Sequence, residues 1–487
     1  MKKKLGKNQK MIDRAQAKQE GIIIDEFIIK VSSDDMYLYL EIDPKNPALI
    51  DSLKEKWGKI KTELEKNKIL GVLEEPEFID NMLVVAKGIP PKDPIPEKIE
   101  LFDKFLPLFQ RDKDLETKCK DVPDEMAEDL RDLCQSIICA EKEEAIGRWY
   151  PPIPGTPGIN IWGDPVEPPP LPEKPSFILG NNLYIDEKDN LIKAKENGVV
   201  IVEKDKIEIY PEYILKSDVD FSTGNIYFKG KKLTIQGDIK FGFKVICQGE
   251  LELQGATENK VYIEVIGPFL CQGIIRGENT KLKVKGDAKI EAVEFAKLEI
   301  EGNLTITNYL IFSDSIVYGD IIATSGKGII YEGEVKCSGD ISAKILGNET
   351  HTSTKIFAGY NPALMEPYKK ALEEEMSIKD TLEKLNQGIK LGEKLKKYGK
   401  LTEEKEEILL KLQEEAEKCY KTLEKIKENI ANLKKIITEY KSRTIKVLDK
   451  IYPGVTLGIT DITYTLNEEK SGPITFYLEA DMFKFRD

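Results

Sequence analysis

The middle of the chain is a series of short segments in which apolar and polar residues alternate and one glycine marks a turn. The segments are TIQGDIKF, VICQGELEL, YIEVIGPFL, KLKVKGDAKI, KLEIEGNLTI, SIVYGDIIA and EVKCSGDISA. Their glycines are Gly237, Gly249, Gly267, Gly286, Gly302, Gly319 and Gly339, at successive gaps of 12, 18, 19, 16, 17 and 20 residues. Alternation turns the aliphatic side chains inward, and glycine suits a corner that needs positive φ or close contact between turns. The pattern predicts a central right-handed parallel β-solenoid over residues 177–360.

Three aspartates near the start of this region, Asp218, Asp220 and Asp238, stand among glycines and lysines, as they would in a catalytic or phosphate-binding loop. The phosphate-loop motif is not met, because five residues separate Gly224 from Gly230 where the motif needs four. The lysine after Gly230 also lacks a following serine or threonine. We therefore expect the three aspartates to be corner and surface residues of the repeat.

Two long helices are predicted over 361–398 and 402–446, and we expect domain 361–446 to be an antiparallel coiled-coil hairpin. The second helix carries apolar residues at alternating steps of three and four, which is the spacing of a heptad seam. These residues are Leu409, Leu412, Ala416, Cys419, Leu423, Ile426, Ile430, Leu433, Ile437 and Tyr440. Gly399 supplies a helix stop, and a short connection favours antiparallel neighbours. Residues 447–487 predict three or four strands that return to the solenoid.

The part of the chain before the solenoid has a mixed pattern. We expect a basic disordered tail over residues 1–20 and a small α/β domain over 21–148. Within that domain, the sequence predicts two strands in 22–42, a helix over 47–67 and a second helix over 124–140.

A proline-rich connector follows at residues 149–176. Ten prolines in this window exclude ordinary helix and central strand. The connector could be a groove ligand for an SH3-like partner, but its apolar residues favour packing onto its own protein instead. Those residues are Ile153, Ile159, Ile161 and Trp162.

Composition narrows the classes of function. The 487 residues carry a net charge of −13, the opposite sign from a broad nucleic-acid-binding surface, so no nucleic acid is expected as a partner. We expect neither a signal peptide nor a membrane span, since no run approaches about 18 apolar residues. The seven cysteines form no C-x-x-C pair, and the one histidine, His351, stands alone at an expected turn. We therefore expect a cytoplasmic protein with reduced thiols, no metal, no cofactor and no histidine-based catalysis.

Five landmarks give the chain a resemblance to the flagellar assembly protein A family, long catalogued as a domain of unknown function. They are PPIPGTPGINIWGDPVEP, GNNLYIDEKDNLIKAKENGVV, DVDFSTGNI, KKYGKLTEEKEEILLKL and IYPGVTLGI, and they occur in family order. Ser217 replaces the glycine that the family usually has before Asp218, and NNLYIDEKDN is a looser form of the family's turn. The resemblance covers residues 20–487. It implies a non-catalytic, cytoplasmic bacterial protein that acts in flagellar assembly or placement through protein partners.

Three functions remain open at this stage. The first is a scaffold or regulator whose protein-interaction residues are Lys396, Lys397 and Lys400, at the tip of the predicted hairpin. The second is a self-associating polymer, because the solenoid is similar to the C-terminal domain of the division inhibitor MinC and to bactofilin filaments, and stacked turns have open ends. The third and most remote is a β-helix enzyme acting on polysaccharide, which needs a row of charged groups on one face.

Overall fold

The computed structural model describes residues 13–40, 47–79, 82–108, 130–173, 177–400 and 402–486. The chain divides into two compact units. The first unit contains Met1–Leu101, Gly147–Ile178 and Ile185–Ile192, and the second contains Phe102–Ile146, Leu179–Tyr184 and Lys193–Asp487.

The helices are α1 (Arg14–Glu20), α2 (Pro47–Lys66), α3 (Pro362–Lys397) and α4 (Glu403–Glu439), with 3-10 turns at Asp103–Leu108 and Tyr440–Ser442. The strands before the solenoid are β1 (Ile22–Ile24), β2 (Phe27–Val31), β3 (Tyr37–Leu40), β4 (Val72–Ile79), β5 (Met82–Lys87), β6 (Lys98–Leu101), β7 (Cys139–Ala140), β8 (Ala145–Tyr150), β9 (Gly158–Ile159), β10 (Pro165–Val166), β11 (Ile178–Leu179), β12 (Leu183–Asp186), β13 (Leu191–Ala194), β14 (Gly198–Glu203) and β15 (Lys206–Tyr210).

The remaining strands belong to one continuous sheet. They are β16 (Glu212–Leu215), β17 (Ile226–Phe228), β18 (Lys232–Ile235), β19 (Lys244–Cys247), β20 (Glu250–Leu253), β21 (Tyr262–Val265), β22 (Phe269–Val284), β23 (Ala288–Ile300), β24 (Leu304–Ile311), β25 (Asp314–Val317), β26 (Ile321–Ala323), β27 (Ile329–Tyr331), β28 (Gly333–Cys337), β29 (Ile341–Leu346), β30 (Thr354–Ala358), β31 (Ile445–Ile451), β32 (Val455–Ile459), β33 (Ile462–Thr465), β34 (Lys470–Ser471), β35 (Ile474–Glu479) and β36 (Met482–Arg486).

The first unit has a small α/β core, as predicted. Its antiparallel sheet has the order β1-β2-β3-β5-β4. Helix α2 buries Leu53, Trp57 and Ile60 in one cluster with the sheet, because these residues recur every three or four positions along one face. Where the sequence predicts two strands in 22–42, the structure has three, since Asp25 takes a left-handed φ of 51° and turns β1 into β2.

Helix α1 lies where a disordered tail is expected. Asp13 caps this helix by accepting a hydrogen bond from the Ala15 N–H at 3.0 Å. Arg14 then forms an ion pair with Asp164 at 2.7 Å, and its guanidinium lies 5.3 Å from the centroid of the Trp162 ring. These contacts order residues 14–20, whereas residues 1–12 of the predicted tail lie outside the described residues.

The proline-rich segment packs onto the first unit. Antiparallel bridges join it to residues 89–95. Ile161 is fully buried and the Trp162 ring packs against the core, which confirms the expected packing for these two residues. Ile153 and Ile159 stay exposed, because each is paired along the backbone without a covering layer.

The central β-solenoid is confirmed, with about eight turns. Each turn runs along three sides, named here A, B and C. Side A contains β16, β18, β20, the first parts of β22, β23, β24, β29 and β31, and all of β26. Side C contains β17, β19, β21, the last parts of β22 and β23, and all of β25, β28, β30 and β32. Side B is the shortest and includes β27.

Strands on each side pair in parallel register, so identical positions of successive turns form columns. The inward columns are aliphatic and buried, as alternation predicts. The corner between sides C and A carries six of the predicted glycines, from Gly249 to Gly339. A Cβ on Gly286 would lie 2.7 Å from the Gly267 carbonyl oxygen of the preceding turn. Close contact between turns therefore requires glycine here, and none of the six has a left-handed φ.

Gly237 belongs to a different corner from the six other glycines. It lies between sides A and B, where a Cβ on Gly255 would meet the Gly237 backbone and a Cβ on Gly273 would meet the Gly255 backbone. The alignment of Gly237 with Gly249 is therefore wrong, and this explains the short gap of 12 residues.

Neighbouring segments of the second unit pack on both ends of the solenoid. At the N-terminal end, the Ser136 N–H donates a hydrogen bond to the Thr223 carbonyl at 2.9 Å. Strands β7, β14 and β15 form an antiparallel sheet there, and Val199 of β14 is buried in the same hydrophobic cluster as the solenoid core. At the C-terminal end, β33 pairs antiparallel with β32 and β35 with β31. The C-terminal strands thus return to the solenoid, and they number six from β31 rather than three or four. The predicted helix over 124–140 ends at Leu133 in its described part, and β7 begins at Cys139.

Helices α3 and α4 interrupt the solenoid between β30 on side C and β31 on side A. The interruption falls at the C–A corner, which elsewhere is a short link that contains a glycine. Asp340 accepts a hydrogen bond from the Thr444 N–H at 2.6 Å, just as Asp320 accepts one from the Asp340 N–H at 2.8 Å one turn earlier. The solenoid pattern therefore continues after residues 360–443 with its corner hydrogen bond intact.

Candidate protein-interaction sites on the second unit

The helical arm, α3 with α4, is fixed to the solenoid at its base only. There Tyr360 and Met365 form a buried cluster with Ile437, and the Tyr360 hydroxyl donates to Glu366 at 2.8 Å. Further out, the cluster around Leu382 contains residues of α3 and α4 alone. The distal part of the arm therefore has no packing role within the solenoid.

The tip of the helical arm carries the three lysines singled out in the sequence. Gly399 has a φ of 66° and stops α3. Lys396 forms an ion pair with Glu406 at 2.6 Å, which joins the end of α3 to the start of α4. Lys397 and Lys400 are exposed and make no ion pair with a described residue. Tyr398 lies between them with 75% of its surface exposed, so the tip combines cations with an aromatic ring.

The aspartates at the start of the solenoid have structural roles, as predicted. Asp218 accepts a hydrogen bond from the Asp238 N–H at 2.8 Å, and Asp238 accepts one from the Ala256 N–H at 2.9 Å. Asp220 accepts from the Ser222 N–H at 2.8 Å. The hydrogen bond to the Ala256 N–H, the largest lowering cause, holds the pKa of Asp238 below its usual range despite partial burial.

His351 and the cysteines also fit structural roles. His351 is exposed in a turn, with a φ of 57°. Cys139, Cys247, Cys271 and Cys337 are buried free thiols, and Cys134 and Cys419 are half-buried free thiols. Over the described ranges no cluster of histidine, cysteine, aspartate and glutamate could hold a metal ion. No helix among those same residues is long and apolar enough to cross a membrane.

A cleft of about 490 Å³ lies where sides B and C meet, and we call it the corner cleft. It is lined by Phe241, Glu258, Asn259, Arg276, Gly277, Glu278, Glu294 and Phe295. Gly277 has a φ of 125°, which only glycine adopts readily, and a Cβ there would lie 2.5 Å from the Glu258 carbonyl oxygen of the preceding turn.

The corner cleft is continued by a stack of aromatic rings. Phe295 and Phe312 lie on neighbouring turns with ring centroids 4.7 Å apart and planes inclined by 11°. Tyr331 on the next turn meets Phe312 edge-on at 5.7 Å. Burial, and then a hydrogen bond to Glu294, raises the pKa of the Tyr309 hydroxyl beside this stack.

Sequence reasoning missed the corner cleft because its residues come from four turns of the irregular side B. The available signal was a phenylalanine at the same corner in two successive turns, in VEFAK and LIFSD, where other turns have Gly242, Lys260 or Glu332. The columns become visible only once the register of the turns is known.

Comparison with known protein families finds two sequence patterns of one family in the chain, one in its N-terminal part and one in the solenoid. The sequence pattern described as the Flagellar Assembly Protein A beta solenoid domain matches residues 211–482, a range that includes the helical arm. The pattern of the Flagellar Assembly Protein A N-terminal region matches residues 27–205. Searches of curated proteins and of solved structures found no significant match. Since the two matched regions occur in order and together extend from residue 27 to residue 482, the chain belongs to the flagellar assembly protein A family.

Proposed function

We propose that the chain is a non-catalytic cytoplasmic scaffold that serves flagellar assembly or placement by binding protein partners. Membership of the family links it to flagellar assembly, and the family is not a known enzyme family. In this proposal α3 and α4 form an antiparallel coiled coil. Its tip presents Lys396, Lys397 and Lys400 to an acidic surface of a partner protein.

The observation that carries the proposal is the position of the helical arm. An insertion of two helices of 36 and 37 residues, each about 54 Å long, contributes only its base to the core of the unit. The distal part of the arm packs only on itself, and exposed cations at its tip suit recognition of an acidic protein surface. We also infer a right-handed coil for the solenoid, because crossovers between parallel strands of one sheet are right-handed in nearly all proteins.

The first test counts flagella per cell and records their position in a strain that lacks the gene. The strain is complemented with the full chain, or with a chain in which residues 361–443 are replaced by Gly-Asp, the usual corner sequence. We expect lost or misplaced flagella in the deletion strain and recovery with the full chain only. Normal flagella without the gene would contradict the flagellar role.

A second experiment compares two sets of lysine variants to test whether the arm tip is needed for function. Lys396, Lys397 and Lys400 are changed together to glutamate, and the matched control changes Lys418, Lys425 and Lys427, exposed residues in the middle of α4, in the same way. We expect the tip variant to fail in complementation and the control to succeed, with both chains equally folded by circular dichroism. Equal success of the two variants would remove the tip from the proposal.

A self-associating polymer is the weaker candidate. Open ends of a solenoid would favour end-to-end pairing, but antiparallel strands pair with β31 and β32 at the C-terminal end. At the N-terminal end, Cys139 and Val199 pack into the solenoid core. We therefore expect sedimentation velocity at high protein concentration to detect nothing larger than a dimer. A concentration-dependent series of larger species would favour the polymer instead.

A further inference from the structure

The corner between sides B and C has a column of residues with left-handed φ. In successive turns the column contains Gly242, Lys260, Asn279, Phe295, Phe312 and Glu332. Phe295 has a φ of 55° and Phe312 a φ of 50°, and a bulky L-residue in this region costs roughly 1–2 kcal/mol. Strained residues of this kind concentrate at functional sites, so the corner cleft beside the two phenylalanines is a candidate binding site.

The Phe295 ring has one face covered and one face turned toward the corner cleft. The spacing of 4.7 Å between the Phe295 and Phe312 centroids equals the spacing of neighbouring strands, so both rings lie across the solenoid axis. Phe312 therefore covers the face of Phe295 that looks to the next turn. The other face looks to the preceding turn, where Gly277 and Glu278 line the cleft, and 50% of the Phe295 surface is exposed.

Carboxylates outnumber cations around the corner cleft. Asp218, Asp238 and Glu258 share the Lys240 ammonium at 3.1–3.4 Å, so this one cation does not neutralise the group. Glu278 and Glu294 add two more carboxylates at the cleft. Arg276 is the cation among the lining residues, and the Lys260 ammonium lies over the Phe241 ring at 5.0 Å. The cleft lining thus has three carboxylates, those of Glu258, Glu278 and Glu294, against one cation, and this balance favours a cationic guest over an anion.

We propose that the corner cleft binds the guanidinium group of an arginine from a protein partner, stacked on Phe295 and paired with Glu278. A planar guanidinium extends a stack of rings and offers a fork of donors to a carboxylate, whereas a lysine ammonium does neither as well. This site is independent of the arm tip and would remain if the tip had no partner.

The test uses the full chain and three tripeptides, acetyl-Gly-Xaa-Gly-amide with arginine, lysine or citrulline at the centre. Citrulline keeps the planar shape of arginine without its charge. Saturation-transfer NMR measures binding of each peptide at low salt. We expect the arginine peptide to bind about threefold or more tightly than either analogue, with transfer strongest at its δ-methylene group.

Paired variants separate the cleft from the rest of the surface. We expect Glu278→Gln and Phe295→Leu each to weaken binding of the arginine peptide about threefold. The controls are Glu301→Gln, an exposed solenoid glutamate outside the cleft, and Phe485→Leu, a phenylalanine with 49% of its surface exposed. Equal binding of all three peptides, or equal losses in the cleft variants and their controls, would overturn the proposal. Glu278 is exposed, so its variant keeps the test valid if Phe295→Leu disturbs the fold.

Discussion

Ser315 is the polar member of an otherwise aliphatic column inside the solenoid. Its in-register neighbours are Leu298 and Val335. It is fully buried, and its hydroxyl has no hydrogen-bond partner in the described part of the chain. Ser313 is also buried, but its hydroxyl donates to the Ile311 carbonyl at 2.7 Å and accepts from the Ala296 N–H at 3.2 Å. We therefore expect the Ser315 hydroxyl to destabilise the folded state and the Ser313 hydroxyl to stabilise it.

This contrast predicts opposite effects of one substitution. We expect Ser315→Ala to raise the free energy of unfolding by up to about 1 kcal/mol, since it removes an unsatisfied buried hydroxyl. Ser313→Ala should lower it by about 1–2 kcal/mol, because the Ala296 N–H loses its acceptor. Urea unfolding followed by far-UV circular dichroism measures both. A loss of stability in Ser315→Ala equal to that in Ser313→Ala would contradict the assignment.

The core cysteines give a prediction in pH. Burial raises the pKa of the thiols of Cys247, Cys271 and Cys337 to about 12, so all three stay protonated at pH 8. We expect iodoacetamide to alkylate half-buried Cys419 well before these three in the folded chain, as read by peptide mass spectrometry. Early labelling of Cys247 would contradict its burial.

The same buried thiols give the stability a dependence on pH. Unfolded thiols lose their protons near pH 9 while the buried thiols keep theirs, so the free energy of unfolding should fall as the pH rises from about 9 to about 12.

At the scale of the element, a column of aspartate and asparagine side chains joins the turns at the C–A corner. Asp287 accepts a hydrogen bond from the Asn303 N–H at 2.7 Å, Asn303 from the Asp320 N–H at 2.9 Å, and Asp320 from the Asp340 N–H at 2.8 Å. Each side chain satisfies a backbone donor of the next turn. Asparagine and aspartate serve equally, because only an acceptor oxygen is needed.

This equivalence can be tested on Asp320. We expect Asp320→Ala to lower the free energy of unfolding of the solenoid by about 1 kcal/mol, because the Asp340 N–H loses its acceptor. Asp320→Asn should keep most of the stability, since Asn303 has the same role one turn earlier. Thermal unfolding of the two variants decides the point. Equal losses would show that the carboxylate charge, rather than the hydrogen bond, stabilises the corner.

Sequence patterns predicted those elements whose periodicity is local. The heptad spacing located α3 and α4 to within a few residues at most ends, because helix periodicity does not depend on the rest of the fold. Glycine spacing located the C–A corner, but Gly237 was misassigned because two kinds of corner share the Gly-Asp motif. The corner cleft could not be predicted, since Phe241 and Phe295, three turns apart, line one cleft only through the register of turns that differ in length.

At the scale of the whole molecule, the unfolding of the two units can be followed by two different spectroscopic signals. The chain has three tryptophans, and Trp57, Trp149 and Trp162 all belong to the first unit. Tryptophan fluorescence therefore reports the first unit alone. Far-UV circular dichroism is dominated by the solenoid and the helical arm, which belong to the second unit.

A pair of glycine substitutions tests whether the units unfold separately. Gly58 lies exposed in α2 with open space where a Cβ would stand, so Gly58→Ala should stabilise the first unit by about 0.5–1 kcal/mol. Gly286→Ala should destabilise the solenoid by roughly 1–3 kcal/mol through its contact with Gly267. We expect the first variant to shift only the fluorescence transition and the second only the circular dichroism transition. Joint shifts of both signals would show one cooperative molecule.

The position of the helical arm in the sequence also fixes the order in which the last solenoid strands are synthesised. Strands β29 and β30 leave the ribosome before the arm, and their partners β31 and β32 follow only after it. At about 5–20 residues per second, translation of residues 360–443 takes roughly 4–17 s. Throughout that interval the growing edge of the solenoid has unpaired backbone groups and an uncovered aliphatic core. The nascent chain thus passes through a defined interval in which a chaperone, or another copy on the same polysome, competes with its own last turns for that edge.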